Sequence, residues 1–406
     1  MKFIHTADLH LGSPIEGLTT IPEKYLQLLH EHTNQLFAQL VKAALREKVD
    51  FILIAGDFFD NHAPSVALQV AVHEQFEKLQ RAGISVYLCL GNHDYLNLDK
   101  EHVFFPPENV FLFPNYPMTK HFRVGTAEVA LTSFSYAQRW TSGILQQFPR
   151  KGPEKWHLGM LHGALKENDP GGHYAPFDIP ELLAKRYDYW ALGHIHKRME
   201  LAADPPIVYP GCLQGKNRKE SGSKGFYVVE EQAGKLVPHF CPMETLRWQT
   251  VDFTLKKGED EAKIEQRIFS ELVKLSQKND KIALLLITVR LFLTHGTATS
   301  LQEKVSSGFL VRRLRDLLKE LPNLYVEKLS AQLISEPAIS LIDQEILAQA
   351  RQKTFQSSQL TAMAGKLLNY PFIEKHLLEK EVQQEIETAA VFDLVEEADD
   401  DENITG

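Results

Sequence analysis

Apolar and polar positions alternate in two registers along this chain. Short apolar runs, "KFIHTA" at 2–7, "DFILIAG" at 50–56 and "ISVYLC" at 84–89, have the length of strands. The second is apolar almost throughout, as expected when a strand is covered on both faces. Between them the period shifts to 3.6 residues. Leu26, Leu29, Leu36, Phe37, Leu40 and Ala44 predict a helix starting near Pro22, with Thr20 and Glu23 spaced as a capping box. Val66, Val70, Phe76 and Leu79 predict a second helix, and Gly83 suits its end. Strand and helix keep recurring to about residue 195. The chain then turns β-rich, with "PIVYPG", "GFYVVEE", "KLVPHF" and "WQTVDFTL". The expectation is two packed sheets with helices outside.

A break falls near 243–255. Beyond it the pattern reads strand, helix, strand, helix, strand, centred on "KIALLLITVRLFL" and "GFLVRRLRDLLKEL", a small α/β domain. The expected division is 1–245, a smaller capping domain at 246–337, a helical region at 338–395 and a frayed acidic end at 396–406. The longest apolar stretch, Ile282 to Leu293, contains Arg290 and is too short to span a membrane.

Composition narrows the class. The chain has 406 residues, 44% of them apolar and 24% charged, an ordinary globular profile. The net charge of −9 is unevenly spread. Residues 371–406 hold 12 acidic residues against 2 lysines, which leaves the first 370 residues at +1. Bulk charge therefore neither requires nor excludes a nucleic-acid partner. Cys89, Cys212 and Cys241 have no ligand-like or framework spacing, and "MKFIHTADLH" has no apolar signal core, so a reducing cytoplasm is expected. "GKNRKESGSKG" lacks the order of a Walker A loop.

The chemistry sits just past the strands. "ADLHLG" supplies Asp8 and His10. "AGDFFDNH" supplies Asp57 and Asp60. "LGNHDY" supplies Asn92 and His93, "GMLHGA" His162, and "LGHIHKR" His194 and His196. Each pair alone is no more than a polar turn. Five in succession, each closing an apolar strand, point to one place at the carboxyl ends of neighbouring strands. The donors are nitrogen and oxygen without thiolate, which suits Mn²⁺, Fe²⁺ or Zn²⁺. So many groups exceed one ion. Two ions bridged by a carboxylate would activate water for in-line attack at phosphorus. His62 and His173 lie in loops near these motifs and receive no ligand role.

The ordered set DLH, GDFFD, GNHD, LHG and GHIH resembles the calcineurin-like metallophosphoesterases. "IHTADLHLG", "GDFFDNHAPS" and "YPGCLQ" resemble more narrowly the DNA repair exonucleases of the SbcD and YhaO type, over roughly residues 1–230. The resemblance implies an α+β fold, a four-layer α-β-β-α sandwich with a small α/β capping domain and a helical C-terminal tail. It implies that Asp8, His10 and His196 hold one metal, that Asn92, His162 and His194 hold the other, and that Asp57 bridges them. Mn is the first choice of metal, Fe and Zn are alternatives, and Mg is a supporting ion. His93 is left free for charge stabilisation or for protonating the leaving oxygen. Asp60 is expected to accept its other N–H and fix the tautomer, and Asp94 to support the ligands from behind or to serve the turn. Archaeal and eukaryotic relatives often carry histidine where Asp60 stands.

The expected activity is Mn-dependent exonuclease or endonuclease cleavage of DNA in repair or recombination. The alternatives are a phosphoesterase acting on nucleotides, cyclic nucleotides or phosphoproteins, and a non-catalytic scaffold. Lys216, Arg218, Lys219 and Lys224 could meet DNA phosphates without reading sequence, while Arg312, Arg313, Arg315 and Lys319 read first as a solvated helical face. "LIDQEILAQARQ" and "FIEKHLLEKEVQQEIETAAVFDLVEE" are amphipathic and could dock on a partner. The resemblance supplies that partner, an SMC-like ATPase of the SbcC type, and a homodimer; no membrane association is expected.

Overall fold

The computed structural model describes residues 1–333 except 19–20, 62, 97–105, 244, 256–258, 260 and 294–298, together with 353–354, 363–365 and 382. In chain order the elements are β1 (Lys2–Thr6), α1 (Glu23–Glu47), β2 (Phe51–Ala55), α2 (Val66–Arg81), β3 (Ser85–Cys89), β4 (Val110–Leu112), β5 (Met118–Val124) and β6 (Ala127–Ser133). There follow β7 (Trp156–His162), α3 (Ile179–Ala184), β8 (Tyr189–Gly193), β9 (Met199–Ala203), β10 (Pro206–Tyr209), β11 (Gly225–Gln232), β12 (Lys235–Pro242) and β13 (Leu246–Thr254). The last are α4 (Glu261–Lys278), β14 (Leu284–Leu293), α5 (Thr299–Ser306), α6 (Phe309–Leu317) and β15 (Leu324–Leu333).

One six-stranded sheet has the order β12-β11-β1-β2-β3-β4, and a second has β5-β6-β7-β8-β10-β9. β1, β2 and β3 are parallel, in register Ile4 to Ile52 and Ile52 to Val86. Strand alternation explains their apolar runs. Ile4, Ile52, Ile54, Val86 and Leu88 face Phe37, Leu40, Ala44, Phe76 and Leu79 of the two long helices. Phe3, Phe51, Leu53 and Tyr87 point the other way, onto Leu131, Leu158, Met160 and Tyr189 of the second sheet. Trp190, Leu192 and Tyr209 leave the far side of that sheet and pack on Leu182 of α3 and on Phe134, Phe148 and Phe177. The layers are helix, sheet, sheet, and helix with loops, as the α+β sandwich expectation requires.

Local details differ from the sequence reading. Pro22 is the N-cap of α1, and among the described residues no side chain caps it. Thr20 lies outside the described residues. On α2 the buried stripe is Val72, Phe76 and Leu79. Val66 and Val70 are 71% and 54% exposed, because a 3.6-residue pitch carries them off that stripe. Leu26 on α1 is also exposed, although it shares the face of buried Ala44 five turns on.

The chain divides into two compact units, one of Met1–Gln249 with Asn279–Leu286, the other of Thr250–Lys278 with Ile287–Gly406. The second carries most of the sheet β13-β14-β15, with α4, α5 and α6. There Arg313 pairs with Glu265, and Arg315 donates to the carbonyls of Val326 and Glu327. These arginines are occupied within their own unit. Among the described residues no helix is long and apolar enough to cross a membrane. The expected docking helices of the tail lie largely outside the described residues.

Candidate metal centre

All nine candidate side chains follow the carboxyl end of a parallel strand or, for His162, close it. Asp8 and His10 follow β1, Asp57 and Asp60 follow β2, Asn92 and His93 follow β3, His162 ends β7, and His194 and His196 follow β8. β1, β2 and β3 are neighbours in one sheet, and β7 and β8 are neighbours in the other. Packing the sheets face to face brings the five clusters together.

The backbone there is strained. Asp8, His10, Asp57 and His194 have φ of 52°, 44°, 48° and 97°, a region that L-residues seldom enter. Hydrogen bonds hold them in it. Asp8 and His10 donate N–H to the carbonyls of Gly56 and Asp57 at 3.1 and 2.9 Å. The amide of His194 donates to both oxygens of Asp8, at 3.0 and 3.1 Å. Asp94 is the buried anchor. Its carboxylate accepts the amides of Phe58, Phe59 and Gly91 at 2.7, 3.0 and 2.8 Å, tying the β2 loop to the β3 loop. Burial, and then the charge of Asp57, push this carboxyl up to about 7. The expected turn role of Asp94 is thus a cross-link between two halves of the site.

The donor atoms face one another. Asp57 Oδ2 lies 3.6 Å from His10 Nε2 and 3.5 Å from His162 Nε2, between the two groups. On one side His10 Nε2 is 3.0 Å from His196 Nε2, and Asp8, His10 and His196 offer donor atoms within 4.8 Å of one another. On the other, Asn92 Oδ1 is 3.0 Å from His162 Nε2 and 3.2 Å from His194 Nδ1.

Proton accounting tests whether cations fit. His162 Nδ1 faces the carbonyl of Ala55 at 3.0 Å, so it carries the hydrogen and Nε2 carries a lone pair. That lone pair meets Asn92 Oδ1, another acceptor. His196 Nδ1 is held by Glu220 Oε1 at 2.6 Å, and His10 Nδ1 lies 3.3 Å from Asp60 Oδ1. Both rings therefore turn Nε2 toward each other, 3.0 Å apart. Burial lowers His10 and takes His194 down to about 3, which keeps these imidazoles neutral. His196 is the exception. Burial opposes its proton, but Glu220 and the charge of Asp8 together outweigh burial and raise it. Imidazole nitrogens and an amide oxygen pointed together, with a carboxylate between them, form a donor set that divalent cations complete.

Three features were not foreseen from the sequence. Asp60 meets His93 through its main-chain carbonyl, 3.1 Å from Nδ1, and not through its carboxylate. The carboxylate is turned to His10 and to Lys216 Nζ, 2.7 Å away. Lys216 and Lys224, expected at DNA phosphates, point inward, because Lys224 Nζ donates to the carbonyl of His196 at 3.0 Å. Arg218 and Lys219 remain at the surface. Finally, Glu220 Oε2 accepts the amide of Lys216 at 2.8 Å, so a belt runs from His196 through Glu220, Lys216 and Asp60 to His10. His62 lies outside the described residues, and His173 is exposed in a loop near His194.

The belt has a measurable consequence. Burial pushes Glu220 up, but the bond and charge of His196, with the Lys216 amide and the Lys224 charge, together outweigh it and hold the carboxyl down to about 2. Its stabilisation is present above the ordinary value of 4.5 and is lost as pH falls toward 2. That of His196 is present below its ordinary 6.5 and is lost as pH climbs through its raised value. In metal-free protein the pair therefore contributes most between those ordinary values. Glu220→Gln is expected to flatten the stability profile across pH 2–8, measured by denaturant melts, and to weaken metal binding by about 10–100-fold in calorimetry. Parallel profiles and equal affinities for the two proteins would rule this role out.

A family model described as calcineurin-like phosphoesterase matches residues 1–198. The "Uncharacterized metallophosphoesterase YhaO" of Bacillus subtilis is 35% identical over 291 residues, 71% of this chain and 71% of that protein. The DNA double-strand break repair protein Mre11 of Sulfurisphaera tokodaii is 26% identical over 55% of this chain and 58% of its own length. The chain thus spans less than two thirds of that Mre11. The SbcD component of the nuclease SbcCD of Staphylococcus saprophyticus is 25% identical over 61% of this chain and 70% of its own length.

Proposed function

This chain belongs to the calcineurin-like metallophosphoesterases, and from that premise we propose that it is a two-metal phosphodiesterase that cuts DNA in repair or recombination. The observation that carries the reading is Asp57 Oδ2, placed between His10 Nε2 and His162 Nε2 with donor atoms converging on either side. Asp8, His10 and His196 hold one ion, Asn92, His162 and His194 hold the other, and Asp57 reaches both. When bound, the ions supply an activated water and neutralise charge on the phosphoryl oxygens. The nitrogen and oxygen donors suit Mn, Fe or Zn; resemblance to the nuclease relatives makes Mn the first choice, with Mg in support.

The chain's own groups do the rest. Asn92 is a neutral donor, so it leaves the positive charge of the site largely undiminished. The main-chain carbonyl of Asp60 orients His93 through Nδ1, which leaves Nε2 to hold or deliver a proton at the leaving oxygen. A DNA substrate is supported by the names of the Mre11 and SbcCD relatives. The same names support an SMC-like ATPase of SbcC type as partner. Leu26, Val66 and Val70, apolar and exposed, support a homodimer. Three unpaired thiols support a cytoplasmic setting.

The test is degradation of end-labelled linear DNA, duplex and single-stranded, by the full chain with Mn²⁺, and its loss in EDTA. Cleavage that EDTA abolishes is expected. Intact DNA beside cleaved bis-p-nitrophenyl phosphate would remove the nuclease reading and return the small-substrate phosphoesterase.

A further inference from the structure

Trp140 is 52% exposed, whereas Trp156, Trp190 and Trp248 are buried. Its ring lies 5.3 Å from that of His173 at 45°, and His173 is itself exposed. The ring of the next residue, Tyr174, stacks on His194 of the candidate metal centre, 4.5 Å away at 28°. Exposed aromatic rings thus lead from solvent to the metal site.

The two loops that carry these rings are tied together by backbone bonds. Thr141 donates its amide to the carbonyl of His173 at 2.8 Å, and Ala175 donates to the carbonyl of Thr141 at 2.9 Å. The amide of Ala164, two residues past His162, donates to the carbonyl of Tyr174 at 2.9 Å. Ala175 is held at φ 41°, a conformation a non-glycine residue keeps only when its surroundings impose it. A lone surface tryptophan needs no explanation. One that packs on His173 and whose neighbour Thr141 is hydrogen-bonded to the loop joined to the end of β7 is a preorganised flat surface.

We propose that Trp140, backed by His173, is a stacking platform for an unpaired nucleobase of the DNA strand being cut. The proposal rests on the DNA reading above and deepens it. Every base has a π-face, so the platform tolerates sequence. A base inside a duplex has both faces covered, so the platform selects single strands and frayed ends. It thereby supplies an end preference that the metal centre alone, which meets only a phosphodiester, does not.

The test is titration of the full chain carrying His93→Ala, in Mn²⁺, with two single-stranded decamers of equal charge, one of thymidylate and one of abasic tetrahydrofuran units. Anisotropy of a fluorescein label on the end of each decamer reports binding in every variant. The thymidylate decamer is expected to bind about tenfold more tightly than the abasic one. Adding Trp140→Ala is expected to bring that preference within about twofold, and Trp140→Phe to keep most of it. An undiminished preference in Trp140→Ala, or equal binding of both decamers before that change, would overturn the platform alone. Binding of neither decamer would overturn the platform together with the DNA reading.

Discussion

Replacing His93 by alanine is expected to lower kcat for phosphodiester cleavage by about 10²–10⁴-fold, the usual range for a lost general acid. Metal content should stay at the wild-type level. The separation of the two effects follows from how the residue is held. Its backbone amide, which alanine keeps, donates to Asp57 Oδ1 at 3.0 Å. Its side chain is exposed, sits edge-on to His10 with ring centroids 4.7 Å apart, and spends Nδ1 on the carbonyl of Asp60. Truncation therefore removes Nε2 without unseating the central carboxylate. His93 also falls within a cluster with His10 and Asp60 whose donor atoms lie within 4.8 Å of one another. Metal analysis by mass spectrometry decides between the roles. A variant that loses an ion together with activity would make His93 a ligand and end its assignment as proton donor.

Gly91→Ala is expected to be at least as damaging, through metal binding and not through chemistry. A Cβ at this position would lie 2.3 Å from Asp57 Oδ1 and 2.7 Å from His162 Nε2. Neither atom has room to retreat. Asp57 and His162 are buried, Asp57 Oδ1 is held by the amide of His93, and His162 is fixed by the carbonyl of Ala55. The methyl group must push apart the carboxylate placed to bridge and a histidine beside it. The expected loss of Mn²⁺ affinity exceeds the roughly 100-fold upper end for changes around a metal's ligands. Overpacking should cost about 1–3 kcal/mol of stability besides. Calorimetric titration of Mn²⁺, with melting of the metal-free protein as a check on folding, measures both. A folded Gly91→Ala protein that binds Mn²⁺ with wild-type stoichiometry and affinity would show that the two groups are not confined as described.

The alternation of apolar runs and 3.6-residue periods determines the order of elements from β1 to β3, because both signals are local and the backbone expresses them directly; from β4 to β7 the expected strand–helix recurrence fails, since strands follow one another there with no α-helix between them. The same pattern identifies which polar groups stand just beyond strands. Asp8, His10, Asp57, Asp60, Asn92, His93, His162, His194 and His196 could all be named before any coordinates. Tertiary structure decides where those groups look and what fixes them. Val66 and Val70 read as core because they are apolar, yet only the seating of α2 on its sheet settles which stripe is buried. Lys216 reads as a loop cation, yet it spends its charge on Asp60, 156 positions earlier in the chain. Glu220 had no signal at all, and it becomes the acceptor for His196 only because its short helical turn meets the loop after β8, 24 positions away. Trp140 and His173 are likewise joined by a two-bond bridge between loops. Sequence periodicity extends over one turn or one pleat. The partner of a polar side chain past a strand end depends on how two sheets pack, which is set by the whole core at once.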